Sequence, residues 1–161
     1  MQTRVTKALM FTAPLLLVGA CSSGYEAPKS FTVSDSAVSS AVKSAIEETS
    51  AGLDGHPEVS CTGRERCSIE YTVKDPAGIS TNIELIRPTR QLWKTLFTDP
   101  KFKSGVITVK GPTKTPAGKD GTGTLFALTC TRKQARQIDW DSTNGSEIRK
   151  HCDFAPKVTG L

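Results

Sequence analysis

Asp139-Trp140-Asp141 brings the most chemistry into the shortest span of this chain. In an extended backbone alternate side chains project to opposite sides, which puts both carboxylates on one side and the indole on the other. Such a pair can hold a small cation, or flank a sugar while the ring stacks on it. An envelope hydrolase using Asp139 and Asp141 is therefore one reading. In the competing one Trp140 fills the core and the acids cap the helix that follows. Nucleophilic catalysis needs Ser or Cys beside His with an orienting acid. The chain has two histidines, His56 in the loop-like "DGHPE" and His151 next to Cys152. "GPTKTPAGKDGTG" has the glycines of a phosphate loop but not its order, because Lys119 precedes Asp120 at a hairpin tip rather than opening a helix. The inventory predicts no enzyme, no cofactor and no bound metal.

Cysteine carries the other chemistry. Five are present, Cys21, Cys61, Cys67, Cys130 and Cys152. Cys21 ends a segment that opens with Arg4 and Lys7 and continues through an apolar run from Ala8 to Ala20. That run is well short of the roughly 20 residues a helix needs to cross a bilayer, and it contains Pro14. An export signal over 1–20 fits it. Val18-Gly19-Ala20-Cys21 resembles the bacterial lipobox, in which the thiol takes a diacylglyceryl group before cleavage and fatty acids such as palmitate anchor the product. Small side chains admit the backbone to a peptidase groove, and only a thiol accepts the lipid. Val18 stands where leucine is favoured, and simple cleavage after Ala20 is the alternative.

Without Cys21 an even four cysteines remain, and export permits disulfides. Three pairings exist. Chain proximity favours Cys61–Cys67 and Cys130–Cys152, the second contributing about 3 kcal/mol for a loop of its size. The Cys61–Cys67 spacing does not suit a zinc finger.

Net charge is +5 and unevenly spread. Residues 87–119 carry eight bases, Arg87, Arg90, Lys94, Lys101, Lys103, Lys110, Lys114 and Lys119, against Asp99. These are candidate contacts for an anionic partner such as phospholipid, wall polymer or an acidic protein; a solvated face is the plainer alternative. Outside the cytoplasm nucleic acid is not expected.

The elements that must position these groups follow from periodicity. Residues 21–33 hold the lipidated cysteine and a Ser/Gly/Pro-rich tether, and 34–157 form one domain. Val38, Ala41, Val42, Ala45 and Ile46 share a helical stripe that Ser34 or Asp35 caps and Gly52 stops. "CSIEYTVK" alternates as a strand, "DPAG" turns, and "STNIELIRP" alternates back until Pro88. Thr89 caps a second helix through Leu92, Trp93, Leu96 and Phe97, which Asp99-Pro100 ends. Strands "SGVITVKG" and "GTLFALTC" follow across a polar loop. "TRKQ" is a capping box, and "SEIRKHC" a last short helix. The predicted class is α+β: about four antiparallel strands in two hairpins, helices on one face, in the order α-β-β-α-β-β-α.

The string "LWKTLFTDPKFKSGVITVKGP", with "GTLFALTC" and "IDWDS" downstream, resembles a loose family of small lipoproteins and membrane-attached domains of actinobacteria and their phages. The resemblance implies a lipid-anchored domain on the extracytoplasmic face of the cell membrane and assigns no catalytic residue. A binding module is the expected function, its partner an envelope or phage protein and exclusion of a superinfecting phage the leading case. The alternative is a carrier lipoprotein holding a small ligand or lipid between helices and sheet.

Overall fold

Ser34 opens the first helix as its residue type predicts. Its Oγ accepts the Ala37 N–H at 3.3 Å, and α1 runs Asp35–Glu47 with Val38, Val42, Ala45 and Ile46 buried. The computed structural model describes residues 28–47, 49, 51–75, 82–114, 118–141 and 145–156. The expected signal segment, Cys21, the first part of the tether, Pro76 to Gly78 of the "DPAG" turn and the end of the chain from Lys157 lie outside them. Gly52 is not the helix stop: α1 ends before it, and Gly52, at φ 60°, lies in the turn into the sheet.

The described strands are β1 Leu53–Thr62, β2 Arg66–Val73, β3 Ser104–Lys114, β4 Asp120–Thr131 and β5 Asp153–Pro156. They lie in one sheet in chain order, with β2 and β3 parallel and every other neighbouring pair antiparallel. The class is α+β. The sheet is mixed and five-stranded, however, where four antiparallel strands were expected.

Two local readings account for the difference. The "STNIELIRP" alternation belongs to a helix: α2 runs Asn82–Leu96 straight through Pro88. An interior proline costs a helix about 3 kcal/mol, so its presence argues for a break. Packing over the following turns outweighs that cost, because Leu92, Trp93 and Leu96 are all fully buried. The real partner of β2 is β1, in a segment read as loop because Gly55 and Pro57 interrupt it. The β1–β2 register shifts between Asp54 and Glu58, an irregularity an edge strand tolerates. With α2 spanning the connection from β2 to β3, the chain has length enough for a parallel crossover, which a hairpin cannot make.

Other expectations match the structure. Thr131 and Gln134 form the capping box of α3, Arg132–Ala135, and α4 covers Gly145–His151. Thr89, expected as a cap, lies inside α2 and shares a 3.3 Å hydrogen bond with the Tyr71 hydroxyl. Burial pushes that phenol up to about 12, against the opposing pull of the Thr89 bond.

One face of the sheet forms the core. Cys67, Ile69, Tyr71 and Val73 of β2 meet Ile107 and Val109 of β3 and Phe126, Leu128 and Cys130 of β4 beneath the helices. Gly105 is required here. A Cβ on it would stand 3.0 Å from the Cys67 carbonyl and 3.1 Å from the Phe102 ring, so alanine would push β3 off its neighbours. Both expected disulfides are present, Cys61–Cys67 across the β1–β2 hairpin and Cys130–Cys152 from β4 to the end of α4.

The least expected core residue is charged. Asp99 is fully buried and accepts from Arg64 Nε at 2.8 Å, Arg64 Nη2 at 2.7 Å, the Val33 N–H at 2.8 Å and the Lys101 N–H at 3.0 Å. Burial alone would raise its pKa; the Arg64 guanidinium and the two N–H groups outweigh that and hold it at about 2. Val33, read as tether, is thereby fixed to the fold and 2% exposed, and Phe31 packs on the core before it.

Removing Arg64 leaves this carboxylate short of its charge partner, so Arg64→Ala should cost about 3 kcal/mol in urea unfolding at neutral pH. The acid dependence has a definite sign. An unfolded aspartate ionises near 3.8 and this one near 2. The contribution, about 2 kcal/mol, is whole above pH 4, declines below it and is gone under pH 2. Urea midpoints at pH 5, 3 and 2 should therefore fall more steeply for the parent than for Asp99→Asn.

Candidate functional site

A single turn brings Trp140 to α2. The capping box at Thr131 starts α3 at the end of β4, with the Thr131 N–H donating to Gln134 Oε1 at 2.8 Å and the Gln134 N–H to Thr131 Oγ1 at 3.3 Å. The chain then turns through Arg136 and Gln137, and the Trp140 indole N–H donates back to the Ala135 carbonyl at 3.2 Å. So held, the ring stacks on Phe97, centroids 6.2 Å apart and planes 27° from parallel.

Arg132 joins α3 to the loop after α2. Its Nε donates to the Phe102 carbonyl at 2.6 Å, Nη1 to the Phe97 carbonyl at 3.3 Å, and Nη2 to the Asp99 carbonyl. The guanidinium also lies 5.5 Å from the Phe97 ring centre. A polar fork thus satisfies three carbonyls of the loop that follows α2, a need the sequence pattern does not display.

Between these elements is a cleft of ≈ 260 Å³, lined by Lys94, Phe97, Thr98, Arg132, Ala135, Arg136 and Trp140. Two aromatic rings form its apolar part and three cationic side chains surround them. Lys94 is bonded to Asp141 at the rim and Arg132 to carbonyls; Arg136 is exposed. Groups of this kind bind and orient an anionic or planar surface, by charge and by stacking.

Asp139 and Asp141 flank Trp140 at the edge of this cleft. Both residues are exposed, but they do not project together from a strand. The Asp139 carboxylate accepts the Asp141 N–H at 3.1 Å in a tight turn, and the Asp141 carboxylate goes to Lys94. Trp140 is half-buried at the edge of the core rather than inside it. Of the histidines, His56 is exposed on β1, not in a loop, and His151 Nδ1 lies 3.2 Å from Gln137 Oε1. Among the described residues no three His, Cys, Asp or Glu side chains gather where a metal could sit.

The fold separates the basic run of 87–119. Arg87, Arg90 and Lys94 lie along α2, although the Arg87 side chain is outside the described part. Lys101 and Lys103 lie at one end of the sheet, Lys114 and Lys119 at the other, and Lys110 between them. Lys103 pairs with Glu65 at 2.8 Å, and Lys110 with Glu70 on the uncovered face. In exchange the topology brings Arg64, Arg66, Arg132, Lys133 and Arg136 toward Lys101 and Lys103, a grouping that spans more than 70 residues of chain. Only the β1–β2 hairpin and the parallel crossover, both missed in the pattern, could have revealed it.

The two parts of this site should respond differently to substitution. Asp141 is 78% exposed, so Asp141→Asn should lower stability by less than about 1 kcal/mol. Trp140→Ala removes the Phe97 stack and should cost about 2 kcal/mol. Chemical denaturation of the two variants checks both. A larger loss for Asp141→Asn would mean that the Lys94 pair, not the ring, holds the cleft. Comparison with known protein families, curated proteins and solved structures finds no match for this chain.

Proposed function

We propose that this protein is a lipid-anchored binding module on the extracytoplasmic face of the cell membrane. Cys21 carries the lipid, the residues after it form a short tether, and the folded domain meets a protein of the envelope or of a phage. Exclusion of a second infecting phage is the leading case.

One observation carries the reading. Four of the five cysteines pair with each other, Cys61 with Cys67 and Cys130 with Cys152, and Cys21 is the odd fifth. Structural disulfides persist where the compartment is oxidising. The odd cysteine stands directly behind a charged start, a short apolar run and the small residues Gly19 and Ala20, where lipobox chemistry uses a thiol. Buried CH2 groups contribute about 0.8 kcal/mol each, so two or three acyl chains give a firm anchor. Among the described residues no helix is long and apolar enough to cross a membrane. The site also fits recognition, since the cleft at Trp140 offers cations and rings and its carboxylates serve the turn and the Lys94 pair.

Metabolic labelling with a fatty-acid probe tests the anchor. The parent should be labelled and sediment with membranes, whereas Cys21→Ser should lose the label and leave the membrane fraction. An unlabelled parent, or one that keeps residues 1–20 in mass spectrometry, would sink the anchor. The partner is tested by capture from envelope extracts and by phage plating on expressing cells; an unchanged plating efficiency with nothing captured would remove the interaction reading.

A further inference from the structure

Thr62, Arg66, Ser104 and Thr131 stand side by side across β1 to β4 and mark one end of the sheet. The connections beyond that row are joined to one another: the Lys103 N–H donates to the Glu65 carbonyl at 2.7 Å, and the Arg132 N–H to the Lys103 carbonyl at 2.7 Å. They carry Arg64, Lys101, Lys103, Lys133 and Arg136, and the row itself adds Arg66, all exposed except the half-buried Arg64. Half-buried Arg132 adds a further cation.

The acids at this end are fewer than the cations, counting the exposed Asp139 and Asp141 beside the Trp140 cleft, of which Asp141 pairs with Lys94. The Asp35 carboxylate accepts the Cys61 N–H at 2.8 Å, Glu65 pairs with Lys103, and Asp99 is buried beneath Arg64. Asp153 stands two residues back from the row, opposite Thr129 on β4. At the other end of the sheet, Asp54, Asp75 and Asp120 balance Lys74, Lys114 and Lys119. The domain is therefore polar along its strands, with an excess of cations at one end.

That end is also where the N-terminal segment departs, because the Val33 N–H is bonded to Asp99. We propose that this cationic end rests on anionic phospholipid headgroups of the membrane that holds the protein, an inference that rests on the lipid anchor at Cys21. Phe31 already packs on the core, and a chain of ten residues, the step in sequence from Cys21 to Phe31, spans roughly 17 Å as a random coil. Attraction between exposed charges fades over about 8 Å at physiological salt. A tether this short keeps the cationic end within a few such lengths of the surface, making the contact intramolecular. The Trp140 cleft, reached from Arg132 and Arg136, then opens beside the membrane, where a partner would meet it.

The experiment separates this surface from the anchor. The chain from position 21 with Cys21→Ser keeps every described contact and lacks both the lipid and the apolar run. It is sedimented with vesicles of phosphatidylcholine alone or with 30% phosphatidylglycerol, at low and high salt. Binding should require the anionic lipid and disappear at high salt. Each cation near such a surface is worth roughly fivefold in partitioning, so Lys101→Ala with Lys133→Ala should weaken binding roughly 30-fold. Lys74→Ala with Lys114→Ala, at the balanced end, should match the parent, and equal thermal melting confirms that both doubles are folded. Absent binding, equal binding to both vesicles, or equal losses in the two doubles would overturn the proposal. Fatty-acid labelling of the full chain reports the anchor independently: selective vesicle binding with no label would refute the anchor and not the surface, and label with no vesicle binding the reverse.

Discussion

A buried carboxylate must find donors for both oxygens or cease to be charged, and at Asp99 that requirement draws three distant segments together. The loop after α2 contributes the acid itself, the β1–β2 turn sends Arg64, and the residues before α1 send the Val33 N–H. None of these segments could bury its share of surface alone. The turn is short and contains Gly63 at φ 57°, in the left-handed region where a side chain is strained. Among the described residues, the N-terminal segment places Phe31 and Val33 against the core. Asp99 gives each a charged or backbone hydrogen bond shielded from water, where such bonds are strongest. Arg132 reinforces the arrangement by bonding the carbonyls of Phe97, Asp99 and Phe102.

The remaining stability is more ordinary and more local. Aromatic packing is concentrated on one side, where Trp93 lies 5.5 Å from Phe97 and 6.4 Å from Phe102, ring centre to ring centre. The far edge depends on Phe154 against Phe126, with Arg149 over the Phe154 ring. β5 is only four residues long, and the Cys130–Cys152 bond ties β4 to the residue just before it. The disulfides thus fasten the outer hairpin and the last edge strand to the core, where Cys67, Cys130 and Cys152 are buried. A small core with few aromatics accounts for that placement.

How much of this was legible depended on whether a residue's local preference agreed with its tertiary role. Ser34, the alternation of β2, the β3 and β4 strands and the Thr131 capping box could be read, because there the two agree. Pro88 marks the largest failure: its preference to end an element was real, and burial of Leu92, Trp93 and Leu96 overrode it. β1 was missed for the same kind of reason, since Gly55 and Pro57 obscure the alternation of an edge strand. Neither cysteine pair required the fold, being neighbours in the chain. The gathering of cations at one end did, because residues 64–66, 101–103 and 132–136 become neighbours only when β2 and β3 run parallel. The basic stretch 87–119 was visible in the sequence, and folding dispersed it.

Two constraints therefore converge at the same end of the sheet. Asp99 fixes where the N-terminal segment joins the domain, and the parallel crossover delivers the loop carrying Asp99, Lys101 and Lys103 to the hairpin turn carrying Arg64 and Arg66. Were β2 and β3 antiparallel, as two separate hairpins would make them, the start of β3 would lie at the opposite end from the start of β2. Lys103 would then be a sheet's length from Glu65, and the Asp99 carboxylate would lose the Arg64 guanidinium. The buried pair, the direction in which the tether leaves and the one-sided charge thus follow from a single topological choice. On the proposed reading that choice also favours one orientation, because a chain anchored at Cys21 and fixed at Val33 holds this end nearest the lipid.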